Sequence, residues 1–89
     1  MARAKAEYGH QVCLVGNIDC GHLLSHGSTT DVERAVRRCL ADGAGGGGFI
    51  LSSSNSIHSS VRPGNYLAMV RAGQRYGSYP LDLPALLAP

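Results

Sequence analysis

The chain has no tryptophan, a single phenylalanine, and aromatic residues at only 6% of its 89 positions. Large flat side chains therefore supply little of any core, and burial falls to aliphatic residues. Charge is scarce as well. Charged residues make up 16% of the chain, and eight Lys/Arg against six Asp/Glu leave a formal net charge of +2. The basic residues are scattered, and so weak a field argues against a nucleic-acid or membrane-surface partner. No apolar run approaches the ~20 residues needed to span a bilayer. MARAKAEYGH carries positive charge without the apolar segment of a secretory signal. The cysteines number three, an odd and dispersed set, with Cys13 and Cys39 inside apolar patterns. They read as reduced core thiols of a cytoplasmic protein, not as a disulfide framework. The length suffices for one small domain at most.

What is present alternates between helical and extended patterns. RAKAEY, from Arg3 to Tyr8, is rich in good helix formers and is closed by Gly9. The apolar run Val12 to Val15, halted by Gly16, suits a short buried strand. A loop is expected from Ile18 to Ser28. Thr30 with Glu33 has capping-box spacing, and Val32, Ala35, Val36, Cys39 and Leu40 repeat at the interval of one helix face. Gly43 stops that helix. The glycine-rich segment Gly43 to Gly48 reads as a tight turn where backbone packs closely. Phe49-Ile50-Leu51 is a second short strand that empties into Ser52-Ser53-Ser54-Asn55-Ser56. Pro63 suits the first turn of a last helix, with Tyr66, Leu67, Met69, Val70 and Gly73 on its inner face and Gly77 at its end. The segment SYPLDLPALLAP has no strong period.

Two strands joined by a helix should run parallel with a right-handed crossover. A sheet of two parallel strands leaves both edges unpaired and wants helical cover on both faces. The expected fold is therefore α/β, with two parallel strands and about three helices, forming part of a larger parallel architecture. Self-association or pairing with missing strands would cover its edges.

The glycines precede the second strand and do not follow it, which is the wrong order for a phosphate loop. In parallel α/β proteins ligands meet the loops that leave the strand ends. Those loops are Gly16 to Cys20 and Ser52 to His58. Asn17, Asp19, Ser54 and Asn55 are the candidate ligand-binding residues, with His58 as a further donor or, near neutral pH, a cation. The same residue types also make turns and cap helices. Cys20-Gly21-His22 with His26 has metal-like spacing, but no second cysteine pair closes a site, so unliganded loop residues are the expectation. The serines lack a Gly-x-Ser-x-Gly elbow or a positioned base, which excludes a serine nucleophile.

Taken in order, VGNID after a short strand, the helix TTDVERAVRRCLADG, and GGGGFILSSSNSIHSSVRPGNYLAMVRAGQRYG resemble the C-terminal end of the uroporphyrinogen decarboxylase family. The resemblance runs from about Ala4 to Pro80. It divides the chain into residues 1–80, a fragment of such a protein, and a proline-containing tail, 81–89. It implies a (β/α)8 TIM barrel of which this chain supplies roughly the last two strand–helix units. The family includes cofactor-free decarboxylases of tetrapyrrole acetate groups, and zinc-dependent methyltransferases that work with corrinoid proteins. Each implies its own ligand at the barrel mouth, a tetrapyrrole or a corrinoid-type partner. Where decarboxylases usually carry a histidine that meets the substrate, and methyltransferases often a cysteine zinc ligand, this chain carries Asn55. The resemblance puts the substrate-holding arginines and aspartate, and the first zinc ligands, upstream of these residues.

Overall fold

The computed structural model describes residues 1–88. In chain order the elements are α1 (Ala2–Tyr8), β1 (Leu14–Ile18), α2 (Leu23–His26), α3 (Thr29–Gly43), β2 (Phe49–Ser53), α4 (Pro63–Tyr76) and α5 (Leu83–Leu86). The expectation of about three helices thus gives way to five among the described residues, because α2 and α5 are single four-residue turns. None of these helices is long and apolar enough to cross a membrane.

The two strands pair in parallel, Leu14 against Phe49 through Ile18 against Ser53. That register corrects the first strand, which begins two residues later than the apolar run and passes through Gly16 to Ile18. Val12 is exposed. The ladder decides this: Leu14 N–H donates to Gly48 O at 2.9 Å, so pairing starts where the glycine turn delivers β2. Burial also differs from expectation. Val15 and Ile50 stand 61% and 55% exposed on a face that no helix covers.

The opposite face carries the core. Ile18, Leu24, Val32 and Val36 are its largest fully buried side chains, each contributing on the order of 1.5–3 kcal/mol by leaving water. The α3 stripe falls as its spacing predicts, with Val32, Val36, Cys39, Leu40 and Gly43 inward. Its cap lies earlier than Thr30. Ser28 Oγ accepts Asp31 N–H, and Asp31 returns the bond to Ser28 N–H, both at 3.1 Å. This reciprocal pair satisfies two donors that helix geometry would leave unpartnered. On α4 the buried positions are Asn65, Met69 and Ala72, so Tyr66 and Leu67 face outward, contrary to the expected inner face. Tyr76 joins α4 to α3 through its hydroxyl, which donates to Glu33 Oε1 at 2.9 Å.

The glycine turn is open and not crowded: a Cβ added at Gly45, Gly46 or Gly47 would meet nothing within 4 Å. What these positions require is conformation, since Gly46, Gly47 and Gly48 all have positive φ, which residues with a Cβ adopt at a cost. Lys5 Nζ donates to Gly47 O at 2.6 Å and ties the turn to α1. Cys13 is exposed while Cys39 is buried, so only one of the two expected core thiols is in the core. The tail forms α5, whose Leu86 is buried and whose Ala85 carbonyl meets Arg37 of α3. Pro89, the last residue of that tail, lies outside the described residues.

Candidate functional site

Parallel pairing brings the loop after β1 and the loop after β2 out at the same end of the sheet. The ladder continues one step past the strands, with Ser54 N–H donating to Ile18 O at 2.8 Å. Ser54 Oγ then accepts the N–H of Cys20 at 3.1 Å, so one candidate side chain ties the two loops together. Cys20 is the knot of this rim. It is 2% exposed, its Sγ–H faces the carbonyl of Asn55 at 3.3 Å, and its own carbonyl accepts from Ser25 Oγ at 2.8 Å.

That arrangement separates the residues of the metal-like spacing. Cys20 Sγ is committed to loop carbonyls, whereas His22 and His26 are exposed and tilted against each other with ring centroids 5.7 Å apart. No group of three or more metal-ligating side chains occurs among the described residues.

The remaining candidates divide by what holds them. Asp19 spends both carboxylate oxygens on its own loop, accepting from Gly21 N–H at 3.0 Å and Leu23 N–H at 3.3 Å. It thereby starts α2, the turn-making role that Asp also fills in ligand-free loops. Asn17 is turned toward α3, where its Oδ1 accepts from Cys39 Sγ at 3.6 Å. Burial beside that contact pushes the Cys39 thiol above its ordinary pKa. Next to it lies an open hollow of about 270 Å³ bounded by Asn17, Asp19, Arg38 and Asp42 among others.

Asn55 and His58 are exposed on the β2 loop. Asn55 Oδ1 accepts the N–H of Ser56 at 2.8 Å, which leaves its –NH2 as a donor at the rim. His58 Nδ1 accepts the N–H of Ser60 at 3.2 Å, so the neutral ring carries its proton on Nε2. Ser54, Asn55 and His58 therefore share one loop, Asp19 lies on the loop that Ser54 grips, and Asn17 points elsewhere. Two larger hollows, about 320 and 350 Å³, open between α3 and α4 and between α4 and β2, and include none of the five candidates.

Reading the sequence missed Asn65. It is 3% exposed, and its side-chain amide donates to Leu24 O at 3.0 Å and Gly27 O at 2.8 Å, pinning the α2 turn to α4. The only signal was an amide two residues after Pro63 and four before Met69, hence on the same side of the helix as that inner residue. Cys20 was expected to be an unliganded loop residue, and its spacing does not reveal a buried thiol that closes a loop.

Comparison with known proteins identifies the family. The family model described as Uroporphyrinogen decarboxylase (URO-D) matches residues 1–76. Proteins named uroporphyrinogen decarboxylase from Mannheimia succiniciproducens and Histophilus somni are each 38% identical over 61 residues, covering 68% of this chain and 17% of theirs. The one from Actinobacillus succinogenes is 34% identical over 76 residues, covering 85% of this chain and 21% of its own length. The chain thus spans about a fifth or less of these curated relatives. No solved structure matches it. A match over 76 consecutive residues, most of the chain, assigns it: the chain belongs to the uroporphyrinogen decarboxylase family.

Proposed function

We propose that these residues form the closing strand–helix units of a barrel decarboxylase acting on the carboxylates of a tetrapyrrole, and that the rim at the strand ends is part of its substrate mouth. The observation that carries the reading is the parallel pair whose two loops meet at Ser54 and Cys20. A common rim is what a ligand site at strand ends requires. The open edges and the bare Val15 and Ile50 face fit a sheet that continues into neighbouring strands.

In this proposal the chain supplies walls and hydrogen-bond donors, and the reacting charges lie on the rest of the barrel. Asn55 offers its –NH2 to a substrate carboxylate, and His58 offers Nε2–H or, when protonated, a cation. Decarboxylation breaks the bond to the carboxylate carbon, releases carbon dioxide, and leaves an electron pair that the protonated pyrrole accepts. A proton then adds to the former acetate carbon to give a methyl group, and the ring loses the proton it had gained. The acid that protonates the ring belongs, in this proposal, to the rest of the barrel. The 89-residue chain accordingly has no activity by itself and covers its sheet edges with missing strands or a second copy. No cofactor is invoked. Zinc chemistry of the methyltransferase kind would need a thiolate where this rim carries Asn55, and the nearby Cys20 Sγ faces loop carbonyls, which leaves the imidazole of His58 as the zinc donor of that loop.

The test is carbon dioxide release from uroporphyrinogen by the longest chain encoded at this locus, with zinc measured on the same sample. Decarboxylation without stoichiometric zinc is the expected outcome. Bound zinc together with methyl transfer to a thiol would overturn the reading. For the 89 residues alone, sizing should show association, and a well-folded monomer would count against an incomplete sheet.

A further inference from the structure

We infer that Asn55 is a site of spontaneous deamidation, set up by the fold of the β2 loop. The reaction needs three things of an asparagine: access to water, a backbone nitrogen on the next residue that no helix or strand ladder holds, and that nitrogen lying near the side-chain carboxamide. Asn55 is exposed. The next residue is a small serine, and Ser56 N–H donates to Asn55 Oδ1 at 2.8 Å. Because Oδ1 is bonded directly to Cγ, that contact keeps the Ser56 nitrogen beside the carboxamide whose carbon it attacks. Two further contacts fix the turn around it. Ser53 Oγ donates to Asn55 O at 2.6 Å, and Cys20 Sγ donates to the same carbonyl at 3.3 Å.

The other two asparagines are protected by the same criteria. At Asn65 the following nitrogen, Tyr66 N–H, is spent on Arg62 O at 3.1 Å within α4, and the side chain is buried and doubly bonded. At Asn17 the following residue is the buried Ile18 of the paired strand β1, and the side-chain oxygen is held by Cys39.

The chemistry balances without an oxidant or reductant. Solvent base removes the Ser56 amide proton, and the nitrogen attacks Asn55 Cγ. The bond from Cγ to the side-chain nitrogen breaks, and that nitrogen leaves as ammonia after gaining a proton. The resulting cyclic imide takes up one water across either of its two carbonyl–nitrogen bonds, giving aspartate or isoaspartate at position 55. The product carries one negative charge more than the amide it replaces, on a chain whose formal charge is only +2.

The experiment is peptide mapping of the purified 89-residue chain after incubation in neutral and mildly alkaline buffer. Aspartate and isoaspartate should accumulate at position 55 while 17 and 65 stay amides, and the rate should rise in proportion to hydroxide. Ser56→Pro removes the attacking N–H and should abolish the product. Asn55→Gln, whose ring closure is slower, should suppress it without touching the backbone. Circular dichroism of both variants checks that the fold survives. Two results overturn the inference. One is Asn17 or Asn65 converting ahead of Asn55 in the folded chain. The other is an intact Asn55 over an interval in which the urea-unfolded chain converts it.

Discussion

Replacing Asn65 tests the packing that holds the rim in place. Its side-chain –NH2 serves two carbonyls, Leu24 O and Gly27 O, inside a site that is 3% exposed. Leu24 O has a second donor, Arg62 N–H at 3.2 Å, so Asn65→Ala leaves Gly27 O as the stranded acceptor. A stranded buried acceptor costs about 1–3 kcal/mol, and Gly27 is only partly buried, so the expected loss is about 1–2 kcal/mol. Asn65→Asp keeps the shape but aims a carboxylate oxygen at two carbonyl oxygens. The first turn of α4 contains no acidic residue, and a negative charge there gains about 0.3–1 kcal/mol from the helix dipole. An uncompensated buried charge costs about 3–5 kcal/mol, so the penalty wins and N65D falls below N65A at neutral pH. The sign with pH is fixed. Burial against carbonyls raises the folded-state pKa of the introduced acid above its unfolded value of about 3.9. Its penalty is therefore absent below that value and grows as pH rises through the window between the two. Urea midpoints of N65A, N65D and the parent chain, taken at one chain concentration and two pH values, decide the matter. An N65D variant as stable as N65A at pH 7, or a penalty that grows on acidification, would refute the reasoning.

Two further outcomes follow from the thiols and the α3 cap. Of the three free cysteines only Cys13 is exposed, so a thiol-specific reagent should consume one equivalent quickly under native conditions and the other two only on unfolding, with Cys39 further slowed by the burial that raises its pKa; two fast equivalents would contradict the buried rim thiol. The Ser28 backbone N–H, followed by the Ser28 hydroxyl, holds the Asp31 carboxyl below its ordinary value of 3.8. A depressed folded pKa contributes stability above the unfolded value that is lost as pH falls through the folded one, so helicity by circular dichroism should decline below about pH 4, less steeply in Asp31→Asn, and an unchanged acid limb in that variant would sink the assignment.

Elements governed by local rules were legible in the sequence. The α3 stripe, the stop at Gly43, Pro63 at the start of α4 and the parallel order all follow from periodicity, capping chemistry and the crossover rule. Where a tertiary contact decides, local pattern failed. Val12 belongs to the apolar run, yet the strand starts at Leu14 because Gly48 O presents its acceptor there. Thr30 with Glu33 has the right spacing for a cap, but Ser28 with Asp31 has it too and is the pair that closes. On α4 an apolar reading selects Tyr66 and Leu67, whereas the helix turns inward the one polar residue that two carbonyls of the α2 turn require. The five rim candidates were found by position at strand ends, but which of them is free to act depends on hydrogen bonds that no spacing encodes.

Those bonds give the rim a division of labour. Asp19 and Ser54 are the residue types most readily cast as binders, and they are the two most occupied, one starting α2 and the other joining the loops. Freeing either for a ligand would require the ligand to replace backbone bonds worth about 0.5–1.5 kcal/mol each before any gain. Asn55 keeps its –NH2 and His58 its Nε2 at no such cost, since their other polar atoms are satisfied by the next turn of the same loop. Both free groups are donors when His58 is neutral, and both remain so when it is protonated. In the proposed substrate mouth, donors presented on loops anchored by Cys20 and Ser54 would suit acceptor-rich ligands, and carboxylates are the simplest of these. The same exposure that leaves Asn55 free to donate leaves its amide open to loss, so the most available group on the rim is also its most perishable.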